Sequence, residues 1–268
     1  MNNNKPIGIF DSGLGGLTVV KSILELMPEE NIIYFGDTAH VPYGTRSKEQ
    51  ITEYVMNDVR FLSGFDIKAI VIACNTADSV AKSRIEEKYP LPVFGVVDPA
   101  ASQAAELTKN GRIGVIATNA TVQSGAYEKA IKRRRPDAVV ISEACPLLVP
   151  LVENGRFLKG DIVTESVIAE YLEIMKKEEV DTLVLGCTHY PLLTDIIREQ
   201  MPGVNIVSSS EAAAKKLSEM LGKNNMRNSG EEGSMRVFVS DKAQDFEKNA
   251  EIFMGRKITG AVLEVDPS

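Results

Sequence analysis

Tryptophan is absent from this 268-residue sequence, and histidine and cysteine are scarce, with two and three residues respectively. An odd number of widely separated cysteines disfavours a disulfide framework, so we expect free thiols in a reducing compartment. The sequence contains no Cys-x-x-Cys and no His-x-x-x-His, and its carboxylates are scattered. These absences disfavour zinc-type ligand sets, and we therefore expect no metal site.

Long apolar runs are also missing. No run approaches the roughly 18 residues that a transmembrane helix needs, and Met1–Gly13 has neither the apolar core nor the cleavage site of an export signal. The net charge of −7 gives a field that does not favour nucleic acid or an anionic membrane surface. We therefore expect a cytoplasmic protein whose partner is neither a nucleic acid nor a membrane.

The composition is that of an ordinary globular protein, with 44% apolar and 25% charged residues. The length of 268 residues is sufficient for two domains. Short β-branched runs alternate with longer amphipathic stretches. We predict strands over residues 6–10, 31–37, 68–74 and 92–98, and helices over residues 15–28, 47–65 and 76–89. Apolar strands that alternate with helices indicate an α/β fold, in which helices cover both faces of a parallel sheet.

The pattern begins again at Gly111–Thr118, which matches Lys5–Ser12 in its Ile-Gly core. We predict further strands over residues 111–118, 137–143, 181–190 and 204–209, with a helix over 160–180. The tail is predicted as a helix over 211–222, a loop over 223–234, and strand, helix and strand over 235–241, 243–255 and 261–266. The chain is thus either two similar modules or two ordinary α/β units that share this pattern, and the tail packs back on one of them.

The turn Asp11–Gly16, with sequence DSGLGG, follows the first predicted strand. Parallel α/β proteins bind ligands beyond the carboxyl ends of their strands, and the exposed N–H groups of such a turn suit an anion. The turn matches neither G-x-G-x-x-G nor a P-loop, which disfavours a nucleotide. A plain tight turn is the alternative to our interpretation, a site for a small carboxylate in which Asp11 holds an ammonium group.

Cys74 and Cys187 each end a predicted strand and precede a predicted helix. A helix N-terminus favours a thiolate, so we expect a lowered thiol pKa at both positions. Each cysteine alone could be a small buried hydrophobe. The repeated context, and His189 two residues after Cys187, favour a functional pair, whereas Cys145 lacks this context and is interpreted as structural.

Two thiols on two similar modules suit the inversion of a carbon centre. A proton must leave one face of the carbon while another arrives on the opposite face, which requires two acid–base groups on either side of the substrate. A cysteine hydrolase would need one nucleophile and one base and would leave the second cysteine unexplained.

Five stretches of the chain resemble the cofactor-independent aspartate/glutamate racemases: IGIFDSGLGGLTVV, YFGDTAHVPYGTRS, ACNTAD, PLLVPLVENG and LGCTHYPLL. The segment VSSSEA departs from the Asp-Ser pair that many members carry near residue 208. The resemblance implies two pseudo-symmetric α/β domains with the active site in the cleft between them. We place the domains at residues 1–97 plus 209–268 and at residues 98–208.

The resemblance also implies interconversion of L- and D-glutamate in a homodimer, without pyridoxal phosphate, metal or nucleotide, with D-glutamate supplied to peptidoglycan synthesis. It implies that Cys74 and Cys187 are the acid–base thiols, acting on D- and L-glutamate respectively, and that Asp11 and His189 assist them. The substrate contacts that it implies are Asp11, Ser12, Pro42, Tyr43, Gly44, Asn75, Thr76, Thr121, Thr188 and His189. Asp37 and Glu153 are expected to tune the charge of the site.

Two other classes of function stay open at this stage. One is a sister enzyme on the same scaffold, such as an aspartate or hydantoin racemase or a decarboxylase. The other is a two-lobed protein that only binds an amino acid. Binding alone would not need paired thiols, which favours the enzyme.

Overall fold

The computed structural model describes residues 4–230, 232–258 and 260–267. The outermost ends of the predicted domains 1–97 and 209–268, and residue 231 in the predicted loop 223–234, lie outside the described residues. The strands are β1 Ile7–Asp11, β2 Ile32–Gly36, β3 Ala69–Ile72, β4 Val93–Gly95, β5 Arg112–Ala117, β6 Val139–Ala144, β7 Thr182–Gly186, β8 Asn205–Ser208, β9 Met235–Val239 and β10 Val262–Glu264. The α-helices are α1 Leu17–Leu26, α2 Lys48–Ser63, α3 Asn75–Lys88, α4 Val97–Leu107, α5 Asn119–Ser124, α6 Ala126–Arg134, α7 Leu148–Glu153, α8 Ile162–Lys177, α9 Thr194–Gln200, α10 Ser209–Lys223 and α11 Ala243–Met254.

The described strands form two parallel sheets of related topology. The first has the order β10-β9-β2-β1-β3-β4 and the second the order β6-β5-β7-β8. Strands β2-β1-β3-β4 of the first sheet therefore correspond in order to β6-β5-β7-β8 of the second, while β9 and β10 extend the first sheet beyond β2. The predicted α/β fold with two pseudo-symmetric, helix-covered parallel sheets is confirmed.

Side chains that alternate along the first sheet enter two different cores. Phe10 packs with α2 and α3 on one face, whereas Ile7 and Ile9 pack with α1 on the other. The core that contains Ile7, Ile9 and α1 continues through α4 and α10 into the residues around β5 and β7. The two sheets are thus joined by one continuous apolar core.

Several helices begin where a side chain accepts a hydrogen bond from the exposed backbone N–H groups of the first turn. Ser47 forms a capping box with Gln50 at the start of α2. Thr118, Asp161 and Ser208 accept from the third residue of α5, α8 and α10 respectively. Local polar residues therefore fix where these helices begin, and at Thr118 and Ser208 the helix follows directly on a strand.

The strand predicted over residues 92–98 is wrong in its second half. Strand β4 ends at Gly95, and Val97 already begins helix α4. Asp98 and Pro99 occupy the first turn of that helix, where proline is tolerated because its missing N–H would have no partner there. Helices α4 to α7 and α9 are additions to the predicted elements.

The tail contributes β9 and β10 to the first sheet, with β9 paired in parallel to β2. Helix α11 of the tail packs on α1. The boundaries 1–97 plus 209–268 and 98–208 stay a prediction. Among the helices of the described residues, none has the length together with the apolar character needed to cross a bilayer.

Candidate active site

The carboxyl ends of β1, β3, β5 and β7 open on one cavity of about 310 Å³. Its walls come from both halves of the chain, because the segments after β1 and β3 face those after β5 and β7. The predicted site residues that line it are Ser12, Pro42, Tyr43, Gly44, Cys74, Asn75, Thr76, Glu153, Cys187, Thr188 and His189. The two thiols singled out in the sequence are therefore brought to one cavity.

Cys74 lies at the N-cap of α3, and its side chain is almost fully buried. Its Sγ lies 3.7 Å from Ser12 Oγ. Burial raises the pKa of the Cys74 thiol to about 12, and the neighbouring Asp11 carboxyl adds to this effect. The predicted lowering of the Cys74 pKa is wrong, because desolvation of the thiolate outweighs the helix N-terminus.

Cys187 has a different partner. Its Sγ lies 3.9 Å from His189 Nδ1, and Nε2 of the same ring lies 3.0 Å from Glu153 Oε1. Burial alone would lower the pKa of His189, but its hydrogen bonds to Cys187 and Glu153 outweigh burial and raise that pKa to about 10. The imidazole is therefore a cation at neutral pH, held between the sulfur and the carboxylate.

Asp11 lies behind the cavity wall and is fully buried. Its Oδ2 accepts a hydrogen bond from the Gly13 N–H at 2.9 Å, whereas Oδ1 has no hydrogen-bond partner among the described residues. Burial raises the pKa of Asp11, and the positive charge of His189 opposes that rise. Asp11 is thus placed to act electrostatically on the thiols and on His189 rather than as an exposed wall residue.

Thr121 and Asp37 also lie behind the wall and support residues that line it. Thr121 Oγ1 lies 3.2 Å from Thr76 Oγ1, and both are buried. Asp37 Oδ2 accepts a hydrogen bond from the Tyr43 hydroxyl at 2.6 Å. Their predicted roles in substrate contact and charge tuning stay predictions.

Sequence reasoning missed part of the wall. Gly13 belongs to the glycine-rich turn predicted to bind a carboxylate, and Thr118 and Asn119 lie at the end of a predicted strand; the lining residues without such a prediction are Val41, Thr45, Cys145, Pro146, Val149, Pro150 and Asn154. Thr118 carried a signal, since a threonine between a strand and a helix is a typical N-cap. Cys145, interpreted as structural, is fully buried yet contributes to the wall.

Residues outside the wall hold Asn75 from two directions. The Tyr127 hydroxyl of α6 donates to Asn75 Oδ1 at 2.5 Å, and Asn75 Nδ2 donates to Ser209 Oγ at 3.1 Å. Asn75 thereby links α3 to α6 and to α10. The spacing of these residues along the chain gave no signal of this contact.

The donor set of the cavity is suited to proton transfer and to binding a small polar molecule. Within the described ranges, no group of three or more histidine, cysteine, aspartate or glutamate side chains is arranged to hold a metal ion. Three thiols, an imidazolium and several hydroxyl and amide groups surround a space of amino-acid size.

The family model described as Asp/Glu/hydantoin racemase matches residues 7–217, which run from β1 into α10. The chain belongs to the Asp/Glu/hydantoin racemase family. Within this family it is 46% identical to the glutamate racemase of Geobacter metallireducens, over 97% of this chain and 96% of that protein.

Solved structures of the family agree with the fold. The glutamate racemase isoform from Bacillus anthracis superposes with a TM-score of 0.94 at 40% identity and covers 98% of both chains. The Francisella tularensis glutamate racemase in complex with D-glutamate superposes with a TM-score of 0.92 at 36% identity, over 99% of both chains. The similarity therefore extends over the whole racemase fold, including both halves of the cavity.

Proposed function

We propose that this protein is a glutamate racemase, which interconverts L- and D-glutamate by proton transfer at the α-carbon. The observation that carries the proposal is the arrangement of Cys74 and Cys187, which follow the equivalent strands β3 and β7 and line one cavity. The 46% sequence identity to a glutamate racemase, which extends over 97% of this chain, supports glutamate as the substrate. The D-glutamate formed would supply peptidoglycan synthesis.

In the L-to-D direction, Cys187 removes the α-proton as a thiolate, and Cys74 donates a proton to the opposite face as a thiol. The surroundings of the two thiols support these roles. Cationic His189 lies beside Cys187 and stabilises negative charge there, whereas the raised pKa of Cys74 keeps that thiol protonated. In the D-to-L direction the two roles exchange.

Deprotonation places negative charge on the α-carbon and its carboxylate. Helix α3 begins at Asn75, directly after Cys74, and the backbone N–H groups of its first turn can stabilise that charge. Asn75, Thr76 and Thr188 supply polar groups on the same wall. Enclosure of the substrate strengthens these interactions, because water is excluded.

The deciding experiment follows the optical signal of L-glutamate by circular dichroism after addition of the purified protein. We expect the signal to decay to zero, with a much smaller kcat/KM for L-aspartate and no loss of activity after chelation of metals. A kcat/KM for L-aspartate comparable to that for L-glutamate would instead indicate an aspartate racemase. Binding of glutamate without any decay would favour the binding protein.

We further propose a homodimer in the cytoplasm. The three free cysteines suit a compartment that keeps thiols reduced. Sedimentation velocity of the purified protein at several concentrations tests the dimer, and a single species of monomer mass at all concentrations would contradict it.

A further inference from the structure

The hydroxyl of Tyr43 lies between two buried carboxyl groups. Tyr43 Oη is 2.6 Å from Asp37 Oδ2 and 2.9 Å from Asp58 Oδ2, and all three side chains are buried. A phenol has a single proton, so Tyr43 can donate to only one of these oxygens at a time. If both carboxyl groups were ionised, the other short contact would bring together two acceptors with no proton between them.

Asp37 is the better candidate for the ionised partner because it has several donors. His40 Nδ1 lies 2.9 Å from both of its oxygens, and the Ser240 hydroxyl donates to Oδ1 at 2.7 Å. Its contact with Tyr43 is also the shorter of the two. Both carboxyl oxygens of Asp37 therefore have a hydrogen-bond partner besides Tyr43.

Asp58 has no such support. It is fully buried, and its Oδ1 has no hydrogen-bond partner in the part of the chain that the structure describes. Burial raises the pKa of Asp58 well above its ordinary value, and repulsion from Asp37 adds to this, although the hydrogen bond to Tyr43 opposes it. Burial also raises the pKa of Tyr43, which keeps the phenol protonated.

We propose that Asp58 is a carboxylic acid that donates its proton to Tyr43 Oη, while Tyr43 donates to Asp37, and that this chain of hydrogen bonds positions the Tyr43 wall of the cavity. Asp58 is thus a positioning residue, which acts on the substrate only through Tyr43.

The position of Tyr43 matters because it begins the 3-10 turn Tyr43–Thr45, which lines the cavity. The next residue, Gly44, approaches the second sheet so closely that an added Cβ would lie 2.8 Å from Thr118 Cβ. Tyr54 precedes Asp58 by one turn of α2 and stacks on His40, with ring centroids 4.1 Å apart. Helix α2 therefore contacts the turn through the Asp58–Tyr43 hydrogen bond and through Tyr54, whose ring centroid lies 5.7 Å from that of Tyr43.

The protonation state is tested directly on the unmodified sequence by carboxyl carbon NMR of protein labelled at aspartate. The Asp58 resonance is assigned by its disappearance in Asp58→Asn. We expect it at the position of a carboxylic acid at neutral pH. A carboxylate position would overturn the proposal, whatever the activity of the protein.

The positioning role rests on the proposed racemase function and is tested by kinetics. Asp58→Leu removes the donor, and we expect a loss in kcat/KM for L-glutamate of about tenfold, mostly in KM. Asp58→Asn retains a donor of the same shape, and we expect it to stay within about threefold of the unmodified protein. In a Tyr43→Phe background, which has no hydroxyl to hold, Asp58→Leu should have little further effect.

The outcomes separate the two proposals. An unmodified protein without racemisation contradicts the proposed function but leaves the NMR result standing. An equal loss of kcat/KM in Asp58→Asn and Asp58→Leu contradicts positioning through the hydrogen bond. So does a loss of kcat/KM on Asp58→Leu that is just as large in the Tyr43→Phe background. Far-UV circular dichroism of each variant checks that the variant is folded, and if Asp58→Leu does not fold, the NMR measurement and the Asn variant still decide.

Discussion

At the scale of single residues, two cysteines in similar sequence contexts have unlike chemical surroundings. A helix N-terminus is worth about 0.3–1 kcal/mol to a nearby negative charge, whereas burial of a charge without a partner costs several kcal/mol. Cys74 is buried near the Asp11 carboxyl, and burial prevails. Cys187 has His189 as a partner. The sequence shows the helix start but not the depth of burial, which explains the wrong prediction for Cys74.

Alkylation should report this difference. We expect iodoacetamide at neutral pH to modify Cys187 faster than Cys74 or Cys145, since thiolate is the reactive form and Cys187 Sγ lies 3.9 Å from the cationic His189 ring. Cys74 stays a thiol because its pKa is raised to about 12, and burial likewise raises the pKa of Cys145. Peptide mapping by mass spectrometry after brief exposure gives the order of modification.

Two controls accompany this measurement. His189→Gln should slow modification of Cys187 and leave that of Cys145 unchanged, and bound glutamate should protect Cys187. If Cys74 or Cys145 reacts before Cys187 in the folded protein, the proposed difference in reactivity between Cys187 and Cys74 is wrong.

Some site residues could be predicted from the residues alone and others could not. Asp11, Cys74, Cys187 and His189 stand out because each lies at or just after a predicted strand end. Glu153 reaches His189 from α7, and such a contact between distant segments leaves no trace in local spacing. Its place in the predicted site came only from a family resemblance, as did that of Tyr43.

At the scale of elements, the turn before α1 is built to approach the loop after β7. A Cβ added at Gly15 would lie 2.5 Å from His189 Nδ1 and closer still to Thr188 Oγ1. The glycine-rich sequence was interpreted as a source of backbone N–H groups. The structure adds a steric reason for Gly15, namely room for the imidazole that partners Cys187.

Gly15→Ala should therefore displace His189 and lower kcat/KM for L-glutamate by about a hundredfold, because small misplacements of a catalytic group are costly. Gly222→Ala is the matched control, since a Cβ there, in α10, meets no atom within 4 Å. It should leave kcat/KM unchanged and raise the Tm slightly, because alanine is favoured over glycine by about 1 kcal/mol in a helix interior and Gly222 lies in the last turn of α10. Steady-state kinetics and thermal melts of both variants check this, and near-normal activity of Gly15→Ala would contradict the steric argument.

The elements that were predicted well have a clear periodic signal. Strand β1, for example, is an uninterrupted buried run, and α2 combines an apolar stripe with a capping serine. Helix α4 was missed because its N-cap Val96 and its first residue Val97 are β-branched and continue the pattern of the preceding strand. The proline in its first turn and the alanines that follow are the signals that would have marked it as a helix.

At the scale of the whole molecule, the two halves are tied together around the cavity. The Thr18 hydroxyl of α1 donates to the Thr188 carbonyl at 3.0 Å and lies 2.8 Å from Ser210 Oγ at the start of α10. Together with the core shared through α4 and α10, this contact fixes the loop of Cys187 relative to the first sheet. The symmetric order of the strands explains how such a molecule presents one thiol from each half.

That symmetry leads to a test of the two-thiol mechanism. If Cys74 and Cys187 lie on opposite faces of the α-carbon, each removes the proton of one enantiomer only. A glutamate analogue with chlorine at the β-carbon needs only this first step. The thiolate takes the α-proton, chloride leaves with its bonding electrons, and a dehydroamino acid forms without reprotonation.

Changing either cysteine to serine should lower racemisation of glutamate by orders of magnitude, because a hydroxyl is a far weaker acid than a thiol. Elimination should separate the two variants. Cys74→Ser should still release chloride from the L-analogue, using Cys187, and fail on the D-analogue, while Cys187→Ser should show the reverse preference. Chloride release is followed for both enantiomers, with far-UV circular dichroism as the check on folding. If both folded variants lose chloride release from both enantiomers equally, the two thiols act jointly on one face of the α-carbon. The correspondence of β3 with β7 would then be a property of the fold alone.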